Sequence, residues 1–339
     1  MISRQTASIR KSAAFLGEKT FRLAMVMCLV CAMSFVLVQN SPVDPVRAYI
    51  GADANQIGTE QRTLIAERWG LDRPPAERFI RWAGQIVRGN LGTSMIFNEP
   101  VASVIGKRFI VSLGLMAAAW VLSGILGFAL GIISGVWHRR AVSKIIDLYC
   151  FVLASAPVFW IAIILLVFFS VMLQWTPVSG STPPGIPAGE ITLAQRLHHM
   201  LLPCASLSVI SIAGVALHTK KKTVEIMQSD YILYARARGE SAFGIVLRHV
   251  LRNSLLPAIS LHFSSLNEIF GGSVLVEQVF GYPGLGKATV DAGIRGDVPL
   301  LLGITIFTTI FIFFGNAAAD YLYTVIDPRM RHMEKINEY

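Results

Sequence analysis

Six stretches of this chain are long and apolar enough to cross a lipid bilayer: roughly residues 21–38, 111–136, 146–173, 201–218, 258–279 and 299–319. A spanning helix needs about 20 such residues, because the hydrocarbon core is about 30 Å thick and each residue rises about 1.5 Å. Inside that core no water satisfies the backbone, so each segment must bond its own N–H and C=O groups as a helix. The pattern predicts an all-α integral membrane protein with six transmembrane helices. Composition agrees: 53% of the 339 residues are hydrophobic, only 15% are charged, and mean hydropathy is +0.56. A soluble domain of this size carries more charge. The fourth and fifth segments are the least clean. His218 ends one, and His262, Asn267 and Glu268 interrupt the other.

Charge then sets the orientation. Six spans put both termini on one side, and short loops rich in Lys and Arg stay in the cytoplasm. The segments 1–20, 137–145, 219–257 and the C-terminal tail hold Arg4, Arg10, Lys11, Lys19, His138-Arg139-Arg140, Lys144, Lys220-Lys221-Lys222, Arg329 and Arg331. The short segments assigned outside, 174–200 and 280–298, carry only Arg196, Lys287 and Arg295 as cations. Both termini are therefore expected in the cytoplasm. The basic start followed by an apolar run resembles a signal peptide, but the run exceeds the usual core of one and Pro42, Asp44 and Pro45 follow without a small-x-small site, so an uncleaved first span is expected. The net charge of +9 fits basic loops on anionic lipid. No aromatic-interleaved basic tract or zinc-finger spacing points to nucleic acid. The four cysteines, Cys28, Cys31, Cys150 and Cys204, lie in or beside apolar runs and suit small buried side chains.

One polar stretch, Asp230 to Pro257, lies between spans on the cytoplasmic side. Asp230 suits an N-cap, a short helix follows over 232–238, Gly239 suits the left-handed turn that ends it, and Ser241 suits the cap of a second helix towards Asn253. Phe243, Val246, Leu247, Val250 and Leu251 recur at helical spacing, with Arg248 and Arg252 on one face. Pro257 is expected to mark the turn into the fifth span. Two short helices there suit docking of a soluble partner; an ordinary loop touching lipid headgroups is the plainer alternative.

Outside, residues 39–110 predict a helix from Thr59 to Trp69 ended by Gly70, a second opened by Pro74-Pro75 with Phe79, Trp82 and Ile86 on one face, and a turn-rich piece at Gly89, Gly92 and Pro100. The adjacent His198 and His199 lack the spacing of a helical metal pair and read as interfacial polar groups. In the fifth segment, His262, Asn267 and Glu268 define a possible translocation path: a carboxylate within a span must face water, a polar partner or a bundle interior. A plain hydrogen bond to a neighbouring helix answers equally well. The glycines after it do not form a nucleotide loop, since Gly286-Lys287-Ala288 lacks the hydroxyl that binds Mg²⁺. Channel, ion-coupled transporter, membrane enzyme and pump subunit all remain compatible with these residues, although no catalytic set or internal repeat is evident.

A resemblance narrows the choice. Asp230, Tyr231, Ala235, Arg236, Ala237, Gly239, Arg248, His249, Arg252, Asn253 and Pro257 keep the spacing of the cytoplasmic coupling loop of ATP-binding-cassette importer permeases, in the peptide/nickel branch. The Glu usual before the alanines in the broader family is missing. Gly70-Leu71-Asp72-x-Pro74 and Gly89-Asn90-Leu91-Gly92-x-Ser94 resemble two further motifs of the branch, with Asn90 in the usual place of Asp. Glu277, Phe280, Pro283, Gly284, Gly286, Arg295, Asp297 and Pro299 resemble its outer turn, and Asp320 to Tyr323 with Asp327-Pro328-Arg329 its ending. The resemblance spans roughly residues 22–331. It implies a cytoplasmic N-terminus (1–20), a first transmembrane helix (21–38), an outer cap (39–110), a permease core with five further spans (111–325) containing the coupling loop (219–257), and a cytoplasmic tail (326–339). It further implies a second homologous permease, two ATPase subunits that hold ATP and Mg, and an outer substrate-binding protein. No cofactor or metal would be bound by this chain. The cargo would be small peptides, with nickel or a metal chelate as alternative.

Overall fold

A computed structural model describes residues 21–37, 39–40, 46, 58–68, 72–187 and 189–326. The basic N-terminal segment, Trp69 to Leu71 and the tail from Asp327 lie outside the described residues, as does the side chain of Asn267. Among the described residues the fold is helical and has no strand, only an isolated bridge between Thr93 and Pro100.

In chain order the helices are α1 (Phe21–Leu37), α2 (Thr59–Arg68), α3 (Pro75–Val87), α4 (Val101–Val136), α5 (Ala141–Ser155), α6 (Val158–Met172), α7 (Leu193–Met227), α8 (Asp230–Ala237), α9 (Ala242–Ile245), α10 (Leu251–Ser264), α11 (Leu266–Val279), α12 (Leu285–Arg295) and α13 (Val298–Ile326). Three of them are long and apolar enough to span a membrane: α4, α7 and α13 over Val298–Ala317. The pair α5–α6 counts as a fourth, and α1 is a shorter apolar helix.

Several segments differ from the expected spans, each for a local reason. α4 starts at Val101, ten residues before the apolar run, because Lys107 and Arg108 dilute hydropathy without breaking the helix. α7 likewise begins at Leu193, fixed by a capping box in which the Thr192 hydroxyl accepts from the Gln195 N–H. The third segment is not one straight helix. α5 and α6 meet at 108°, and Ala156 between them is extended at φ −89° and ψ 133°. Pro157 imposes this, since its ring clashes with a helical residue before it. The fifth segment is also two helices, α10 and α11, of 14 residues each, parted at Ser265. Pro257 ends nothing: α10 runs through it, held by the buried neighbours Ser254 and Ala258, as packing commonly overrides local preference.

The chain forms two compact units. The first comprises residues up to 109 with 288–314. Its core joins Cys31 and Phe35 of α1 to Val298 and Leu302 of α13, with Phe79 and Trp82 of α3 laid against them. Phe109 meets Phe307 edge-on at 4.8 Å. Phe79 and Trp82 of the stripe expected on α3 thus pack, and Pro75 sits at its first turn as expected.

The second unit comprises residues 110–287 with those from 315 onward. α7 is its central helix. Gly127, Gly131 and Gly135 place α4 directly on α7: a Cβ at Gly131 would fall 2.6 Å from the Ala216 carbonyl, and one at Gly127 2.8 Å from Val215 Cβ. Small residues let helix backbones touch where no hydrophobic force separates helix from lipid. Leu115, Leu207, Ile269, Val276 and Phe280 form the main apolar cluster. The four cysteines are unpaired, and all but Cys28 are buried.

Candidate functional site

The polar stretch folds as a helix–glycine–helix wedge. α8 ends at Ala237, and Gly239 takes φ +81°, the left-handed region that non-glycine residues adopt at a penalty. The Ser241 hydroxyl accepts from the Gly244 N–H at 3.1 Å and so caps α9, which continues through a wider turn at Val246–Val250 into α10. Asp230 is not the cap of α8. Ser229 holds that position with extended dihedrals, and Asp230 is the first helical residue, where its charge suits the helix dipole.

The inner face of the wedge buries Ile232, Ala235, Ile245 and Val250 against Ile132 and Ile226. Ala235 is therefore a packing residue: its small side chain lets α8 lie close to the helices beneath. Phe243 and Leu247, expected on the packed stripe, are instead 77% and 55% exposed, beside Tyr231 at 45% and Leu233 at 67%. Arg236, Arg248, Arg252 and Asn253 are exposed around them. The His249 ring N–H donates to the Glu240 carboxylate at 3.3 Å, which ties the turn after Gly239 to the helix beyond it. The wedge thus presents apolar rings and guanidinium groups together on a surface.

Of the three fifth-segment residues, His262 is buried and packed on Trp120, whereas Glu268 is exposed in the first turn of α11. Glu268 shares an exposed face with Gly271, Leu275 and Gln278, and a Cβ at Gly271 would meet nothing.

The turn after α11 is built on a fully buried carboxylate. Glu277 accepts from Ser112 Oγ at 2.5 Å and from the Lys287 N–H at 3.0 Å, while the same Ser112 oxygen accepts from the Leu285 N–H at 2.7 Å. Gly284 is glycine because the Glu277 side chain occupies the space a Cβ would take, and Gly286 because the Val274 backbone does. The glycines serve this close approach as well as a turn, and Pro283 lies among them. Asp297, also fully buried, accepts from Ser94 Oγ at 2.6 Å, the Ile96 N–H at 3.0 Å and the Leu300 N–H at 3.1 Å. It caps α13 and anchors the turn after Gly92 in one stroke. Burial pushes its carboxyl above the usual carboxylate range, against the pull of these hydrogen bonds. Asn90 keeps the function of a short acceptor, its Oδ1 taking the Gly92 N–H at 2.9 Å.

His198 and His199 bond the carbonyls of Trp175 and Gly180, so both fix the turn beyond α6. Sequence reasoning passed over the link between Asp147 of α5 and Lys220 of α7, with Ser134 and Ser143 bonded beside it. The available signal was a lone carboxylate in an otherwise apolar run. Among the described residues, no group of three or more His, Cys, Asp or Glu side chains could hold a metal ion.

Long apolar helices, two of the segments broken, with an exposed polar wedge between them, define a polytopic integral membrane protein. Residues 127–332 match the family described as binding-protein-dependent transport system inner membrane component. The oligopeptide transport system permease protein AppB of Bacillus subtilis is 32% identical over 324 residues, covering 94% of this chain and all of that protein. The glutathione transport system permease protein GsiC of Escherichia coli K12 is 32% identical over 316 residues, covering 93% and 98% of the two chains. An inward-facing structure of the MetNI methionine ABC transporter aligns with TM-score 0.44 and 16% identity, over 63% of this chain and 94% of that one, a likeness too weak to carry an inference. The chain belongs to the family of binding-protein-dependent transport system inner membrane components: it is an ABC permease subunit.

Proposed function

We propose that this chain is one of two homologous permeases in an ATP-driven importer of small peptides. Six spans with both termini in the cytoplasm carry the pathway. Two ATPase subunits, holding ATP and Mg, dock on the 230–257 wedge, and an outer binding protein delivers cargo. The observation that carries this reading is the wedge: a left-handed Gly239 between two short helices, with Tyr231, Leu233, Phe243 and Leu247 exposed beside Arg236 and Arg248. Apolar rings ringed by Arg suit a protein groove better than headgroups alone. ATPase closure would push on α8 and α9, and the rigid α10 would carry the motion inward.

Glu268 is the pathway residue this reading favours. An exposed carboxylate on a helix among apolar spans belongs against water rather than lipid, and it would attract the ammonium group of a peptide. Asn267 lies beside it in sequence. Oligopeptide and glutathione permeases among the relatives weigh for peptides as cargo. Nickel or a metal chelate is weakened as a reading, because the His262 ring is engaged with Trp120. The turn held by Glu277 would lie on the surface where the binding protein sits.

The test is reconstitution of the full transporter in vesicles with its ATPases and binding protein. ATP-dependent uptake of labelled di- and oligopeptides is expected. Uptake of nickel alone would overturn the cargo reading, and uptake without ATP would overturn the importer reading.

A further inference from the structure

His262 and Trp120 join two helices by an exchange of hydrogen bonds. The His262 Nε2 lies 2.8 Å from the Trp120 carbonyl, and the Trp120 Nε1–H donates to the His262 carbonyl at 3.1 Å. A carbonyl only accepts, so Nε2 carries the proton. The two rings stack at 4.5 Å with 8° between their planes. Gly124, one turn along α4, makes the room: a Cβ there would fall 2.7 Å from Nε2.

The place in the chain matters more than the joint itself. The His262 carbonyl also accepts from the Ser265 N–H at 3.2 Å and Ser265 Oγ at 2.8 Å, three residues on, where α10 stops and α11 starts. That carbonyl sits at the helix break and is shared with a neighbouring helix. α10 leads from the wedge to this point without interruption, about 21 Å at the usual rise per residue. A force applied at α8 and α9 therefore arrives at a joint pinned to α4 on both sides.

We propose that His262 is a positioning residue for coupling: the His262–Trp120 exchange fixes the inner end of α10 to α4, so that displacement of the wedge moves α4 rather than being absorbed at the Ser265 break. The proposal rests on the permease reading above. It assigns His262 to force transmission and leaves cargo contact to other residues.

The test uses the complete transporter in vesicles and reads cargo moved per ATP hydrolysed. Wild-type ATP-dependent uptake must first be present; its absence counts against the permease reading alone. His262→Phe keeps the ring and removes the donor; the Trp120 carbonyl still accepts from Ser123 Oγ at 3.0 Å, so the expected fall in the ratio is about tenfold, the upper scale of one lost hydrogen bond between helices, while ATP hydrolysis persists. His262→Gln places an amide N–H at similar reach and is expected to restore the ratio to within about threefold of wild type. An unchanged ratio in His262→Phe, or a loss in His262→Gln as deep as in His262→Phe, overturns the proposal. Should His262→Phe fail to assemble, Trp120→Phe removes the indole donor while keeping an aromatic ring against His262, and an unchanged ratio there overturns it equally.

Discussion

Ser94 Oγ donates to Asp297 Oδ2 at 2.6 Å, across 203 residues of sequence, with both side chains fully buried. Two motifs that look separate in the chain, Gly92-x-Ser94 and Asp297-x-Pro299, are one clasp. Asp297→Asn leaves the shape but sets an amide N–H₂ against donors. It is expected to lower stability by about 1–3 kcal/mol, the scale of a buried donor left unpaired. The sign of its pH dependence follows from the raised carboxyl. A raised folded value contributes stability at low pH that is lost as pH rises through that value. The melting-temperature difference between wild type and Asp297→Asn, measured in detergent, is therefore expected to be larger at about pH 5 than at about pH 7.

Gly239→Val is expected to uncouple transport from ATP hydrolysis while the protein remains in the membrane. No atom lies within 4 Å of a Cβ at Gly239, so the effect is backbone strain alone at φ +81°. That strain is on the order of 1–2 kcal/mol for a non-glycine residue, and more for a β-branched one. Gly239→Asn, which tolerates the left-handed region, is expected to fall between the two. ATP-driven uptake in reconstituted vesicles, with membrane content measured by immunoblot, checks the order.

Glu277→Gln is expected to destabilise the turn after α11 by about 1–3 kcal/mol, because the Ser112 hydroxyl and the Lys287 N–H each point a proton at a carboxylate oxygen. Gly284→Ala is expected to be worse, since a methyl there meets the Glu277 carboxyl, which is fully buried and held on two sides. Thermal unfolding of the purified protein ranks the two.

Glu268→Gln removes one charge at nearly constant shape. Its side chain is exposed, so little change in stability is expected, but uptake of peptides with a free amino terminus is expected to fall several-fold relative to amino-acetylated ones. Equal loss for both cargo types, or none, would remove Glu268 from the pathway.

The wedge was legible because its signals are local. Gly239 and Ser241 act through their own backbone, and neighbouring residues announce them. The breaks at Ala156 and Ser265 were not read. Hydropathy reports residence in an apolar phase, which a bent helix and a straight one share. Pro157 marked one bend, yet Pro203 and Pro257 lie inside continuous helices, so proline alone does not discriminate. Glu277 and Asp297 were recognised by their motifs without their partners, since Ser112 and Ser94 lie more than 160 residues away and carry no pattern of their own. The His262 hydrogen bond to Trp120 is not legible either, because polarity within an apolar run looks the same whether it faces water or a carbonyl on the next helix.

Gly127, Gly131 and Gly135 bring the α4 and α7 backbones into direct touch, with Val215, Thr219 and Thr223 seated in the grooves they leave. A seam so tight has no slack for sliding, because each turn of one helix is a stop for the next. The two helices must travel as a single strut, so a displacement handed to α4 reaches α7 as well, and bending is left to the joint at Ala156.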